Sequence, residues 1–516
     1  MISATRIFKT LGQGATLMAA LLFSTSSRAD INIVGNVYGG GNEGDLTGHT
    51  EVVLRGGTIE GDVYGGARKA DVGSYAFVNI DGQHAGDDIL VRTVYGGNDI
   101  SGSIGNVGDG TMPFVPSAKT AKADAPEWTT TAAIDKTWNA FVLSTSAGTA
   151  EGAPSVFVGS LFGGGNGDYD YASTEYSGLS APTIAKTYLQ IEGGTFAYVY
   201  GGGNEATVTG STDIYINNPD APTTAVSVAD AKRMGVQSTA YTVDGTSGTD
   251  MAVFPQTIDR VFGGNNLAPM DIQPNWYLIA GRANNVYSGG NKGAMTCKDG
   301  ILVYVFQNEG GTTTDPVTGE ITVNEHGNKM QINNIYGGCR MADVQPASDD
   351  FSAVSKGFSR FGYNFPAGYA ARVYISGGNI NNVYGGNDVS GDVYAGTDVE
   401  INGAISGDVY GGGNGSYAYT DNPYLAIGNP DEWADYYYDV DGGIDTSNPA
   451  ESAEASLEAL NKKRPHVENT LVHIFGEGEW RDPAQTYSWR YHAYDGYDFT
   501  NLTADGKPTM LEKWET

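Results

Sequence analysis

Basic side chains are scarce. Lys and Arg number 29 against 60 Asp and Glu in 516 residues, a formal net charge of −31. A surface that acidic repels phosphates, which excludes a general nucleic-acid binder. Cysteine is nearly missing, with only Cys297 and Cys339. Two thiols do not make a disulfide scaffold or a zinc ribbon. Charged residues of both signs amount to 17%, yet 40% hydrophobic and 11% aromatic residues argue against wholesale disorder. Long apolar runs are absent: Ala15–Phe23 has nine residues, and no later segment stays apolar for eighteen, so no transmembrane segment is expected. The six His have no HExxH spacing, which speaks against zinc. There is no GxSxG and no P-loop with its Lys-Ser/Thr ending, so the Gly-Gly-Gly runs read as turns rather than phosphate cradles.

The first segment present reads as an address. Arg6 and Lys9 give a basic start, the short apolar run follows, and Ser27-Arg28-Ala29 puts small residues at −3 and −1 before Asp30. That layout predicts a secretory signal peptide over residues 1–29, against the plainer reading of a buried N-terminal helix. Cleavage there removes three basic residues and no acid, so the net charge becomes −31 − 3 = −34. The expected localisation is secreted, extracellular or on the outer cell surface.

Glycine is abundant, 74 residues, and much of it sits in one recurring phrase. It starts at Val37 (VYGGGN), Val63, Val94, Leu161, Val199, Val261, Val286, Ile335, Val383 and Val409, with a degenerate VYAG at Val393–Gly396. The steps 37 to 63, 261 to 286 and 383 to 409 are 26, 25 and 26 residues. That period suits one coil of a β-solenoid and is short for a propeller blade of roughly 40–50 residues. The longer gaps then require insertions, for which Gly108–Pro154, Tyr169–Ala185, Asn217–Met251, Asn308–Asn328 and Gln345–Gly368 are the candidates, or coils whose signature has decayed.

A second strand precedes the phrase. Val52/Leu54, Val78/Ile80, Leu189/Ile191, Val373/Ile375 and Val399/Ile401 define an inward face of period two. Val53/Arg55, Asn79/Asp81, Gln190/Glu192, Tyr374/Ser376 and Glu400/Asn402 lie on the other face, expected to be mostly polar and outward. Ile59, Phe196, Ile380 and Ile405 precede the phrase by three or four residues, a slack read as a corner. Stacking would bury these strands against their copies and align Tyr38, Tyr64, Tyr95, Tyr200, Tyr336, Tyr384 and Tyr410 in an aromatic ladder. An Asn column (Asn42, Asn98, Asn166, Asn204, Asn414) would hydrogen-bond along a corner, with the Gly runs supplying tight turns and positive φ.

On these motifs, over residues 35–416, the chain resembles secreted right-handed parallel β-helix proteins of the pectin-lyase-like or adhesin-like kind. It is also similar to Gly-rich VYGGGN-repeat surface proteins of gut-type Bacteroidetes bacteria. The resemblance implies an all-β solenoid of about 26-residue coils with long loop insertions over 30–416. A kelch-like β-propeller is the alternative fold. Such folds host both polysaccharide-cleaving enzymes and adhesins, so the fold alone does not choose.

Residues 417–516 read as a cap or accessory region. They carry an acidic aromatic patch at Asp435–Asp439, one helix from Asn448 to Lys463 stopped by Pro465, a strand at Leu471–Phe475, and an aromatic stretch around Trp480 and Trp489. The aromatic stretch reads either as part of a cap or as a platform for an extracellular glycan or protein partner.

No catalytic, cofactor-binding or metal residue is assigned. Asp87-Asp88, Asp349-Asp350 and Asp431-Glu432 recur at no coil spacing and read as solvated pairs, and His326-Gly327 lacks a neighbouring Arg-x-Lys. Calcium is the cation that the acid-rich corners would suit, at Gly164–Asp170, Asn98-Asp99 and Asn387-Asp388, but a turn Asp in water is the preferred reading of each. Cys297 and Cys339 are the disulfide candidate. Two separate buried thiols are the alternative, since Cys339 fills the slot that Ala67 fills. The expected function is a non-enzymatic adhesin or structural display rod at the cell surface; a β-helix polysaccharide lyase or glycoside hydrolase is the alternative.

Overall fold

The computed structural model describes residues 31–105, 138–146, 153–218, 225–305, 329–345, 369–416 and 464–474, apart from single positions 247, 249, 299, 376 and 402. It also gives the backbone of four further strands, Thr312–Thr314, Ile321–Val323, Tyr491–Leu502 and Pro508–Glu515. The expected signal peptide, the 448–463 helix, Asp349-Asp350, Asp431-Glu432 and His326 lie outside the described residues.

The protein is nearly all β, built on a large parallel sheet. Ten units follow one another, and each contributes to three ladders. The first ladder is made by the phrase: Val37↔Val63↔Val94↔Leu161↔Val199↔Val261↔Val286↔Ile335↔Val383↔Val409, every step parallel and in chain order. Its aliphatic side chains face the core, and the residue after each faces away. Tyr38, Tyr64, Tyr95, Phe162, Tyr200, Phe262, Tyr287, Tyr336, Tyr384 and Tyr410 form an unbroken ring stack, with centroids 4.5–5.0 Å apart and planes within 11°. A one-residue slip would put these rings into the aliphatic interior, so the register is strongly specified.

The second ladder pairs Thr50–Leu54 with Ala76–Asp81, then Ala140–Thr145, Thr183–Ile191, Thr207–Asn217 and Asn275–Tyr287. A second run pairs Ile301–Val305, Ala371–Ile375, Thr397–Ile401 and Thr470–Ile474. The inward face is as expected: Val78, Ile80, Leu189, Ile191, Val373, Ile375 and Val399 are at most 1% exposed. Burying such a side chain contributes about 1.5–3 kcal/mol before entropy is charged against it. The third ladder consists of short bridges linking Leu46, Val72 and Ile104, and, further along, Met270, Met295, Val344 and Val393.

Several expectations need correction. Ala140–Thr145, which the sequence assigns to the Gly108–Pro154 insertion, is the second-ladder strand of the third unit. It escapes sequence reading because no Gly corner follows it. The degenerate VYAG is not an eleventh phrase: Val393 bridges Val344 and then pairs with Val467 in the third ladder. The slack before the phrase at Ile59 is a bulge inside the continuous strand Gly57–Tyr64, where the register shifts between Ile59 and Asp62. The outer face of the second ladder is not mostly exposed. Asp81, Gln190, Tyr374 and Glu400 are buried there. Neighbouring outer positions carry a second aromatic stack, Phe77–Phe141–Tyr188, with centroids 5.1 Å apart.

The phrase glycines are required for a reason other than positive φ, which none of them adopts. A Cβ at Gly96 would lie 2.4 Å from the carbonyl oxygen of Gly163 in the next unit, and one at Gly385 would lie 2.2 Å from that of Gly411. Close approach of successive backbones, not turn geometry, excludes a side chain there.

The insertions leave at junctions between ladders. Residues 225–253 form a small antiparallel sheet with the helix Val228–Arg233. Its apolar side, Met234, Val236, Tyr241 and Phe254, packs on Phe157 and Ala197. Thr312–Thr314 pairs antiparallel with Ile321–Val323.

Candidate functional site

Two polar constellations emerge from the ladders. The first runs along the glycine corner. Five residues after the start of each phrase stands Asn42, Arg68, Asp99, Asn166, Asn204, Asn266, Asn291, Arg340, Asp388 or Asn414. Side-chain nitrogens donate back to the preceding unit: Asn204 to Asn166 Oδ1 at 3.0 Å, Asn266 to Asn204 at 2.8 Å, Asn291 to Asn266 at 2.8 Å, and Arg340 Nη1 to Asn291 at 3.2 Å. Asn98 was expected in this column but does not belong to it. In the five-residue phrases Asn98, Asn265 and Asn387 turn inward one position earlier. Each accepts from a backbone N–H of the preceding unit, at Ala67, Gly203 and Cys339 (2.7–2.8 Å), and donates to the carbonyl of Ala70, Pro269 or Ala342.

Asp99 and Asp388 are therefore not open calcium corners. Asp99 accepts from the hydroxyls of Tyr38 (2.8 Å) and Tyr169 (2.7 Å) and from Asn166 (3.0 Å). Asp388 accepts from the Tyr287 hydroxyl (2.7 Å) and from Asn414 (2.9 Å). Burial, the hydrogen bond to Asp99 and the negative charge there push the Tyr169 hydroxyl well above its ordinary range. In the Gly164–Asp170 segment, Asp170 caps a local turn by accepting from the Ala172 N–H. Asp87 and Asp88 are exposed, as expected, and Asp88 accepts from the Ser155 N–H.

The second constellation was missed. The second-ladder register places Arg372 beside Asp398 and Leu471, and Tyr374 beside Glu400 and His473. All point to the outer face, opposite Val373, Val399 and Val472. Arg372, Asp398 and Glu400 are buried, while the His473 side chain keeps 21% exposure. Glu400 Oε1 and His473 Nδ1 stand 3.9 Å apart. Asp398, Glu400 and His473 each offer a ligand atom within 4.8 Å of the other two, the one such group of three among the described residues. Burial first, then the adjacent Glu400, pushes the Asp398 carboxyl up to about 7. The sequence shows only a shared pattern, Val373-Tyr374-Ile375, Val399-Glu400-Ile401 and Val472-His473-Ile474, and the strand pairing sets the acid beside the histidine.

Cys297 and Cys339 share one apolar cluster with Met270, Met295 and Val344, both as buried thiols with no disulfide between them. Burial pushes the Cys339 thiol up to about 12. No helix among the described residues is long and apolar enough to cross a membrane.

No family model matches this chain, and no curated protein or solved structure matches it significantly. The functional reading therefore rests on the ladders and the side chains they align.

Proposed function

We propose that this chain is a secreted, right-handed parallel β-helix that serves at the cell surface as an adhesin or structural display rod, without enzymatic activity of its own. The observation that carries the reading is the phrase ladder, whose ten units run in chain order from Val37 to Val409 without a break, while the antiparallel insert of residues 225–253 stands outside it. A stack of about 4.8 Å per unit makes a shaft of roughly 45 Å. Parallel pairing between units favours this arrangement over a propeller, whose blades are antiparallel. A right-handed path is what parallel crossovers overwhelmingly adopt. The layout of residues 1–29 supports export, and the strong acidity suits a soluble surface exposed to solvent.

Fractionation and protease shaving of the source cells test this reading. The chain is expected in the medium or the shaved surface fraction, and retention in the cytosol overturns it. A polysaccharide panel tests the enzymatic alternative: turnover that an Asp88→Asn or Glu400→Gln variant abolishes would replace the rod with a lyase or hydrolase.

A further inference from the structure

We propose that Asp398, Glu400 and His473 form a binding site for a first-row divalent cation of the zinc type, clamping the last two second-ladder strands together. Asp398 and Glu400 are two apart on Thr397–Ile401, so both side chains leave the same face. His473 stands opposite Glu400 on the neighbouring strand Thr470–Ile474. Backbone pairing thus fixes three donors from two strands, and they come within 4.8 Å of one another. Zinc with ligands at 2.0–2.2 Å needs donors about 3.4 Å apart, so closure requires only side-chain adjustment of roughly an ångström.

The second observation is independent of that spacing. Asp398 is 1% exposed, and neither of its carboxylate oxygens has a hydrogen-bond donor. Other buried acids among the described residues have a donor on at least one oxygen; Asp259, whose Oδ2 lacks one, accepts from Asn284 on Oδ1. Asp81 takes Arg55 and His84, Asp99 takes two tyrosines and an asparagine, and Asp388 takes Tyr287 and Asn414. A carboxylate withdrawn from water without donors costs several kcal/mol unless something positive meets it. Arg372 lies in register with Asp398 and faces the same cluster, which moderates the negative charge without donating to those oxygens.

The donor set chooses the ion. One imidazole with two carboxylates suits Zn²⁺ and its neighbours, whereas Ca²⁺ and Mg²⁺ prefer oxygen alone in larger number. The partly exposed His473 side provides the way in from solvent.

The test uses the full chain, stripped with a chelator and titrated with ZnCl₂ by calorimetry, alongside thermal unfolding with and without zinc. One zinc per chain is expected, with a raised unfolding midpoint. His473→Gln and Asp398→Asn should each weaken that binding at least about tenfold and remove the thermal shift. Circular dichroism without metal establishes that each variant is folded. If Asp398→Asn does not fold, Glu400→Gln takes its place. Absence of saturable zinc binding overturns the proposal. So does zinc binding that survives both substitutions, which would place the ion on other histidines. Displacement of zinc by equimolar calcium would overturn the assignment of ion class.

Discussion

At the residue scale, the identity of the phrase is explained position by position. The aliphatic residue fills the interior, the ring stacks outward, and the first glycine sits under the carbonyl of the next unit. Gly96→Ala therefore overpacks a contact that neither backbone can relieve. It is expected to cost about 1–3 kcal/mol, read as a lower urea midpoint. The inward asparagines do a different task from the corner column beside them. Asn387 is fully buried and satisfies the Cys339 N–H and the Ala342 carbonyl at 2.7 and 2.9 Å. Asn387→Ala strips both, so a loss of about 2–4 kcal/mol is expected in the same measurement. Asn387→Asp would still accept from the N–H but would bury a charge against the Ala342 carbonyl, and is expected to destabilise at neutral pH as well.

At the scale of elements, the ladder and the insertions are separable. Val305 and Lys329 end and begin strands that elsewhere need only a short link, as Ile375 and Asn379 do. Replacing residues 306–328 by a copy of the short Ser376-Gly377-Gly378 link should leave the unfolding midpoint within a few degrees, because a shorter connection costs slightly less entropy to close. A collapse of the midpoint would mean that this segment covers core. The 225–254 insertion differs, since it buries Phe157 and Ala197. Phe254→Ala is expected to loosen that cluster locally by about 3–5 kcal/mol, leaving the ring stack intact by near-ultraviolet circular dichroism.

At the scale of the whole molecule, stability accumulates by neighbours. Central units are covered on both sides, whereas the first and last described segments carry exposed apolar side chains: Ile31, Val34 and Ile474 are 63, 72 and 75% exposed. Hydrogen exchange should accordingly be slowest in the strands around Val199, Val261 and Val286 and fastest in Asn32–Ile33 and Thr470–Ile474. Uniform protection from end to end would contradict this. Zinc added to the full chain should slow exchange in Thr470–Ile474 selectively, since the cation would tie that strand to Thr397–Ile401.

The sequence by itself determined the all-β class, the inward face of the second ladder and the aromatic stack. Each of these depends on a pattern that repeats along the chain, and identical side chains in register can only meet their own copies. Only the tertiary structure decided what depends on pairing between dissimilar segments. Asn98 leaves the corner column because the preceding unit presents two backbone groups to it. Ala140–Thr145 joins a ladder although its own sequence carries no corner. Asp398, Glu400 and His473 converge because residues 464–474 return to the sheet more than 45 positions after the tenth phrase ends. Spacing along the chain does not encode that return; hydrogen-bond register between strands does.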